Sequence, residues 1–259
     1  MAEARTVLIT GAAGNLGGKL RRHLEGRYPL RLLDRDPRDD AGIVPADLSR
    51  WDVRLVDHFR GADVVVHLAA DPTAQQTWPN LIGPNVDALI HVFQACVQAD
   101  VKRVVYASSN HVLGGYKDDP EPALLTTDLP PRPGTRYVAD GEARDSTPYG
   151  SAKLFGERLG RCCADADGLS VLAVRIGWVR PGENRPEDIP AEREEWFRLM
   201  WLSNRDYCHL MECCIRAGDS VRFAVLNGMS ANTGMRWDLS ETRRLVGYAP
   251  QDDVTRPTV

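Results

Sequence analysis

The sequence lacks the features of a membrane-spanning or nucleic-acid-binding protein. No stretch of its 259 residues approaches the roughly 18 consecutive apolar side chains that a spanning helix needs. The 32 basic side chains are outnumbered by 36 acidic ones, so the cationic surplus typical of binders of nucleic acids or anionic membranes is missing too. The first residues also show no signal-peptide pattern. We therefore expect a cytoplasmic protein that binds a small molecule, and neither nucleic acid nor a membrane.

Cysteine and lysine are both scarce. The six cysteines form no CxxC pair, and the adjacent ones fall in helix-like segments where neighbouring side chains point to different faces. We predict reduced thiols and no metal site. The chain contains only four lysines, which are Lys19, Lys102, Lys117 and Lys153. A lysine at a fixed spacing from another functional side chain is therefore informative.

Short apolar runs rich in β-branched residues alternate with helical patterns along the first two thirds of the chain. The runs are residues 5–10, 29–34, 62–69, 102–108 and 169–176. Near-continuous apolar strands between helices indicate a parallel sheet covered on both faces, so we predict a Rossmann-type doubly wound α/β fold.

The rhythm changes near residue 177. We assign residues 1–176 to a dinucleotide-binding core, which a strand near 221–227 joins, and residues 177–259 mainly to a small C-terminal substrate-binding cap. Helices are predicted over 192–202 and 206–217. A second irregular stretch, residues 114–147, is long enough to be a functional loop.

A glycine-rich turn directly follows the first strand. Gly11, Gly14 and Gly17 form a GxxGxxG run, with Asn15 and Leu16 inside it, that opens an amphipathic helix. Glycines let backbone N–H groups and a helix N-terminus approach a pyrophosphate, so we predict a dinucleotide site.

The next two strands bear on which dinucleotide binds. Asp34 ends the second strand, where its carboxylate can accept hydrogen bonds from ribose hydroxyls and repel a 2'-phosphate. NAD is favoured over NADP, although Arg35 follows directly and can in principle neutralise a 2'-phosphate. Asp47 and Leu48 are interpreted either as facing the adenine ring or as a plain turn.

A second group of polar side chains points to catalysis. Tyr149 and Lys153 are one helical turn apart on one face of a helix. Ser109 follows a buried strand and therefore lies at the carboxyl edge of the sheet, above the predicted cofactor cleft. An ammonium and an oxidised nicotinamide both favour a phenolate, so Tyr149 is predicted to act as a general base, with Ser109 holding the substrate oxygen.

These motifs together resemble the extended short-chain dehydrogenase/reductase family. The resemblance rests on TGAAGNLG at 10–17, HLAA at 67–70, SSNHVLG at 108–114 and YGSAK at 149–153, and it covers nearly the whole chain. It implies that Ser109, Tyr149 and Lys153 form a catalytic triad and that Lys153 also binds the nicotinamide ribose. It further implies that Leu68 and Ala69 line the cofactor, that Asn85 holds a water in a proton relay, and that the protein is a homodimer or a higher homo-oligomer.

Within that family the chain is similar to acidic-aldose 1-dehydrogenases. Uronate dehydrogenases share SSNH and the Arg175-Ile176-Gly177 motif, and residues 200–214 are similar to the NAD-dependent glucose-6-phosphate dehydrogenases of haloarchaea. The resemblance implies that Thr73, Asn110 and His111 bind the sugar and that Arg175 faces its anionic C6 group.

The C6 anion and the reaction class both stay open at this stage. Several arginines suit a tetrahedral oxyanion, so a 6-phospho- or 6-sulfo-hexose, such as glucose 6-phosphate or sulfoquinovose, ranks above a hexuronate. These arginines are Arg132, Arg136, Arg144, Arg193, Arg198 and Arg205. The alternatives from other classes are a sugar-nucleotide epimerase or dehydratase and a non-catalytic NAD sensor.

Overall fold

A seven-stranded parallel sheet forms the centre of the molecule. The computed structural model describes residues 5–139 and 141–256. Residues 1–4 and 140 of the predicted core and residues 257–259 of the predicted cap therefore lie outside the described residues. The strand order is β3-β2-β1-β4-β5-β8-β9. These strands are β1 (Val7–Thr10), β2 (Leu30–Asp34), β3 (Val44–Pro45), β4 (Val64–His67), β5 (Arg103–Ser109), β8 (Ser170–Ile176) and β9 (Phe223–Gly228). The order reverses between β1 and β4, which confirms the predicted doubly wound α/β fold.

Helices cover both faces of this sheet. They are α1 (Asn15–Leu24), α2 (Leu55–Phe59), α3 (Trp78–Leu81), α4 (Ala88–Gln98), α5 (Thr147–Ala166), α6 (Glu195–Leu199), α7 (Asn204–Arg216) and α8 (Ser240–Val246). A π-helical segment, Ile82–Asp87, leads into α4, and 3-10 turns span Asn110–Tyr116 and Pro186–Asp188.

Alternating strand residues divide the core into two layers. Val7 and Ile9 face α1 and α7, whereas Leu8 between them faces α2 and α4. Because successive strand side chains point to opposite faces, a strand buried on both sides needs a continuous apolar run. That requirement explains why the strands were visible in the sequence.

The C-terminal part departs from the prediction in detail. The predicted helix over 192–202 is only the five-residue α6, and the one over 206–217 is α7, which packs on α1 through the hydrogen bond from Tyr207 Oη to Leu16 O (3.3 Å). Strand β9 pairs in parallel with β8. The division of the chain at residue 176 stays a prediction.

The stretch 114–147 contains an antiparallel hairpin, β6 (Arg136–Ala139) with β7 (Glu142–Asp145). A separate, largely aromatic cluster joins this stretch to the C-terminal segment through Tyr137, Trp196, Phe197 and Trp237. The hairpin and α6 therefore lie together beyond the carboxyl ends of the central strands.

Two further observations concern the described residues only. Over 5–139 and 141–256, no helix combines the length and apolarity needed to cross a membrane, and no three His, Cys, Asp or Glu side chains are grouped as metal ligands. All six cysteines are free thiols.

Candidate active site

The glycine turn after β1 forms a cradle that admits no side chains. Gly11 has a φ of +73°, and a Cβ there would lie 2.7 Å from the backbone nitrogen of Ala69. A Cβ on Gly17 would collide with the carbonyl oxygen of Gly11. Gly14 occupies the N-cap position just before α1 and provides no side-chain cap, and the first turn of the helix carries no acidic residue. The N–H groups of that turn therefore remain available to an anion, as a pyrophosphate requires.

The residues inside the turn are placed beside it. Asn15 is exposed, and its Nδ2 donates to the carbonyl oxygen of Val179 (3.1 Å), while Leu16 packs against the first core layer. Asp34 ends β2 next to the cradle and accepts a hydrogen bond from Ala13 N (2.9 Å). Its carboxylate thus lies where a dinucleotide's ribose meets the second strand.

Leu48 does not face an open site. Its side chain is only 5% exposed and packs in the second core layer. Asp47 forms a turn instead, because its Oδ1 accepts from both the backbone nitrogen (3.1 Å) and the hydroxyl (2.6 Å) of Ser49, and the hydroxyl contact lowers the pKa of the carboxyl group. These contacts fit the plain turn, and the alternative that Asp47 and Leu48 face the adenine ring stays a prediction.

The segment after β4 passes close to the cradle. Leu68 packs against the first core layer and Ala69 against the second, and Ala69 N lies 3.4 Å from Thr10 Oγ1. Asn85 is buried in the π-helical segment, with both amide ends bonded to the backbone of Asp71 (2.8 and 3.0 Å). Its amide therefore holds the Asp71 loop in place, and the role of Asn85 in holding a relay water stays a prediction.

The catalytic side chains come together from β5 and α5. Ser109 is the last residue of β5, its Oγ accepts from His111 N (3.2 Å), and its hydroxyl acts on Tyr149 by lowering the pKa of the phenol. Tyr149 lies in the first turn of α5, and Lys153 follows one turn later. The Lys153 ammonium lies 5.6 Å from the centroid of the Tyr149 ring and donates to Ala107 O (2.8 Å). All three side chains are buried.

Burial dominates the electrostatics of this group. It raises the pKa of Tyr149 to about 12, against the opposing effect of the Ser109 hydroxyl, and it lowers the pKa of Lys153 to about 8. The expectation that the ammonium and an oxidised nicotinamide together favour the phenolate stays a prediction. Because desolvation opposes the phenolate, positive charge from a bound ligand would be needed beside the lysine.

The two residues after Ser109 also enter the site region. Asn110 is buried, and its Nδ2 donates to Ile176 O (3.2 Å). Its Oδ1 has no hydrogen-bond partner among the described residues. His111 packs edge-on against Tyr149, with ring centroids 5.6 Å apart. Burial lowers the pKa of His111 to about 4, so this ring is neutral at physiological pH.

Arg175 is not a free cation. Its Nε and Nη2 each lie 2.8 Å from an oxygen of Glu157, and both side chains are almost fully buried. Ser108 Oγ donates to the same carboxylate (2.7 Å). Only Nη1 is without a partner in the described part of the chain. That Arg175 faces the anionic C6 group stays a prediction, and because Glu157 neutralises its charge only Nη1 is left for a ligand.

Most of the other singled-out arginines are also paired with carboxylates. The pairs are Arg132 with Asp119, Arg136 with Asp145, Arg144 with Glu142, and Arg205 with Asp252. Across residues 5–139 and 141–256, Arg193 and Arg198 take part in no ion pair. Arg193 lies over the rings of Trp178 (5.3 Å) and Phe197 (5.6 Å).

Thr73 is exposed on the loop after β4, where its backbone nitrogen donates to Asp71 Oδ1 (2.8 Å). Nearby Gln75 donates to the hydroxyl of Tyr137 on the hairpin. This contact joins the loop after β4 to the hairpin. Sequence reasoning missed Gln75, Tyr137 and Glu157, because none belongs to a short motif.

A side-chain-free anion cradle, an acidic strand end, and a serine, a tyrosine and a lysine meeting at one sheet edge define a dinucleotide-binding enzyme of the short-chain dehydrogenase type. The chain belongs to the NAD dependent epimerase/dehydratase family, whose model matches residues 7–190. This confirms both the family resemblance and the NAD cofactor predicted from the sequence.

The chain is similar to several proteins over nearly its whole length. It is 35% identical to the NAD-dependent glucose-6-phosphate dehydrogenase of Haloferax volcanii, covering 95% of this chain and 93% of that protein. It is 33% identical to the L-arabinose 1-dehydrogenase (NAD(P)(+)) of the same organism, covering 95% and 96%. A mutant uronate dehydrogenase from Agrobacterium tumefaciens, solved in complex with NAD, superposes with a TM-score of 0.78 at 31% identity, covering 98% and 87%.

Proposed function

We propose that the protein is an NAD-dependent aldose 1-dehydrogenase that oxidises C1 of a hexose with an anionic C6 group to the 1,5-lactone. The preferred substrate class is a 6-phospho- or 6-sulfo-hexose such as glucose 6-phosphate or sulfoquinovose. The observation that carries the reaction is that the buried side chains of Ser109, Tyr149 and Lys153 come together from the end of β5 and the start of α5, at the sheet edge above the glycine cradle. The similarity to a glucose-6-phosphate dehydrogenase supports the substrate class.

Each side chain has a distinct part in this reaction. Tyr149 accepts the proton of the C1 hydroxyl, and Ser109 holds the same oxygen in place through its hydroxyl. Lys153, whose ammonium lies 5.6 Å from the centroid of the Tyr149 ring, stabilises the phenolate, and its hydrogen bond to Ala107 O fixes its position. The bound NAD supplies the hydride acceptor and a positive charge that favours the phenolate. The burial of all three side chains keeps water from competing for the proton.

We assign recognition of the C6 anion to Arg193, with Nη1 of Arg175 as a second donor. Trp178, which Arg193 covers, is two residues beyond Ile176, and Ile176 pairs in register with Ser109. Phe197, also under Arg193, packs edge to face against Tyr137, which is hydrogen-bonded to Gln75 near Thr73. A guanidinium held on aromatic faces keeps its N–H groups free for an oxyanion.

A hexuronate is the second proposed substrate. The superposition on a uronate dehydrogenase favours it, and so does the single free nitrogen of Arg175, which suits a carboxylate held by few donors. The two proposed substrates differ in the arginine that dominates binding of the C6 anion. A phosphate or sulfonate needs Arg193 in addition to Nη1 of Arg175, whereas a carboxylate needs fewer donors.

A substrate panel tests the proposal. Purified protein is mixed with NAD and, in turn, glucose 6-phosphate, sulfoquinovose, glucuronate, L-arabinose, glucose and UDP-glucose, and formation of reduced NAD is followed. We expect the highest kcat/KM for a 6-phospho- or 6-sulfo-hexose. A preference for glucuronate would support the second substrate, and interconversion of UDP-glucose without NAD reduction would replace the proposal with an epimerase.

Arg193→Gln separates anion recognition from catalysis. We expect the KM for the preferred anionic hexose to rise at least about tenfold, the effect of losing one charge-assisted hydrogen bond, with little change for glucose. Arg136→Gln is the matched control, because Arg136 is exposed on the hairpin and already paired with Asp145. Equal effects of the two variants would contradict the assignment to Arg193.

We also propose that the protein is a homodimer formed through α4 and α5. Ile90 on α4 and Phe155 on α5 are each 38% exposed, and Trp78 and Ile82 lie exposed on the adjoining segment. Exposed apolar side chains on neighbouring helices are typical of a subunit interface. A Phe155→Glu variant should shift the mass in light scattering from dimer to monomer, and a monomeric wild-type protein would contradict this.

A further inference from the structure

His111 is held by two hydroxyl groups on one side of its ring. Nδ1 lies 2.7 Å from Ser146 Oγ and 3.0 Å from Thr135 Oγ1. Both hydroxyl side chains have no exposed surface, so water cannot replace either contact. The backbone of His111 is fixed as well, because its carbonyl oxygen accepts from Gly134 N (2.9 Å).

The hydrogen-bond geometry of Ser146 determines where the histidine proton lies. Ser146 Oγ already accepts a hydrogen bond from Thr135 N (2.8 Å). Its own proton has two possible acceptors, which are His111 Nδ1 at 2.7 Å and Thr135 O at the outer limit of 3.5 Å. A buried hydroxyl donates to the closer acceptor. Nδ1 then accepts, and the single proton of the neutral ring lies on Nε2.

Ser146 has no competing task at this position. It occupies the N-cap of α5, where a serine side chain usually accepts from the helix backbone, yet no such bond is formed. The capping contact is made instead by Asp145, whose Oδ1 accepts from the backbone nitrogen of Thr147 (2.8 Å). The Ser146 hydroxyl is thereby free to serve His111.

The far side of the ring faces the reaction site. His111 meets Tyr149 edge to face at an interplanar angle of 88°, and its Nε2 has no partner among residues 5–139 and 141–256. We propose that Ser146, assisted by Thr135, is a positioning residue that fixes His111 with its proton on Nε2, so that the ring enters the sugar site as a hydrogen-bond donor. The sugar oxygen that meets it is then an acceptor. The sugar contact rests on the proposed function, whereas the position of the proton does not.

Nuclear magnetic resonance of protein labelled with nitrogen-15 in histidine tests the proton position without any substrate. His111→Gln assigns the His111 signals. In the wild type we expect a protonated Nε2 and an unprotonated Nδ1, and in Ser146→Ala we expect a mixture of the two tautomers. Ser146→Thr, which keeps the hydroxyl, should restore the wild-type pattern. A wild-type ring protonated on Nδ1, or an unchanged pattern in Ser146→Ala, would overturn the proposal.

Kinetics test the consequence for the sugar. For Ser146→Ala we expect the KM of the preferred sugar to rise about tenfold, the effect of one weakened hydrogen bond, while kcat changes little and the KM of NAD does not change. Ser151→Ala on the same helix is the control, and it should match the wild type. A fall in kcat, together with a rise in the KM of NAD as large as that in the KM of the sugar, would indicate a merely structural role and contradict the proposal. If the wild type oxidises no aldose, the proposed function fails, while the spectra still decide the tautomer.

Discussion

The Lys153 ammonium lies 5.6 Å from the centroid of the Tyr149 ring, and both groups are buried at the start of one helix. Burial opposes the charged form of each, so it raises the pKa of Tyr149 and lowers that of Lys153. A phenolate and an ammonium that are each costly alone stabilise one another. Binding of a positively charged cofactor ring beside them then favours the phenolate, which links cofactor binding to activation of the base.

Replacing Tyr149 with phenylalanine should abolish turnover and leave NAD binding intact. The variant removes the proton acceptor, so kcat should fall by about a thousandfold, within the range for general-base catalysis. Steady-state kinetics and calorimetric NAD titration measure the two effects. Tyr116→Phe is the control, because its hydroxyl only donates to Pro130 O (2.9 Å). Comparable losses in both variants would argue against a catalytic role for Tyr149.

Lys153→Met should inactivate the enzyme and stabilise its fold. The lysine is charged in the unfolded chain near pH 7, whereas in the folded protein burial disfavours that charge and lowers its pKa to about 8. Removing it should raise the free energy of unfolding by about 1–2 kcal/mol, after loss of the hydrogen bond to Ala107 O. Urea denaturation measures this change. A destabilised variant would show that the lysine supports the fold as well as the reaction.

Asp34→Ser should relax the preference for NAD. The substitution removes the negative charge that repels a 2'-phosphate but keeps an acceptor for Ala13 N. We expect the ratio of kcat/KM for NADP to that for NAD to rise by about 10- to 100-fold. Asp36→Ser, two residues further along, serves as the control. An unchanged ratio in Asp34→Ser would mean that another residue selects the cofactor.

Stability should fall as the pH drops below about 6.5. Burial lowers the pKa of His67 to about 3, so the unfolded chain takes up a proton there well before the folded protein does. The folded state therefore loses stability as the pH falls from about 6.5 towards 3, with a slope of about 1.4 kcal/mol per pH unit for this histidine. His111, whose pKa is also lowered, acts in the same direction.

His67→Gln tests this origin of the pH dependence. Denaturation curves at pH 8 give the reference stability of each protein, and curves between pH 6 and pH 4.5 give the slope. The variant should show a shallower slope than the wild type. Identical slopes would assign the acid sensitivity to other groups.

The sequence was sufficient for the elements that depend on local patterns. Strands buried on both faces require continuous apolar runs, and the cradle requires glycine at Gly11 and Gly17, so both could be predicted without a structure. Tyr149 and Lys153 shared a helical face at a spacing of one turn. Each of these features involves residues close together in the chain.

The contacts that the sequence could not reveal involve partners that are distant in sequence. Arg175 is neutralised by Glu157, which lies 18 residues away on α5, and Asn85 is bonded to the loop at Asp71. The role of Ser146 was hidden because a serine before a helix ordinarily indicates a cap. No spacing rule reveals such contacts, since they depend on how strands and helices pack.

The most direct test of the account uses glucose 6-phosphate carrying deuterium at C1. After incubation with the protein and NAD, mass spectrometry of the reduced cofactor should detect the deuterium, and the sugar product should be the lactone or its hydrolysed acid. The rate of deuterium transfer should fall about a thousandfold in Tyr149→Phe. Reduced NAD without deuterium, or deuterium transfer at the wild-type rate in Tyr149→Phe, would contradict the claim that Tyr149 takes the proton while C1 gives up the hydride.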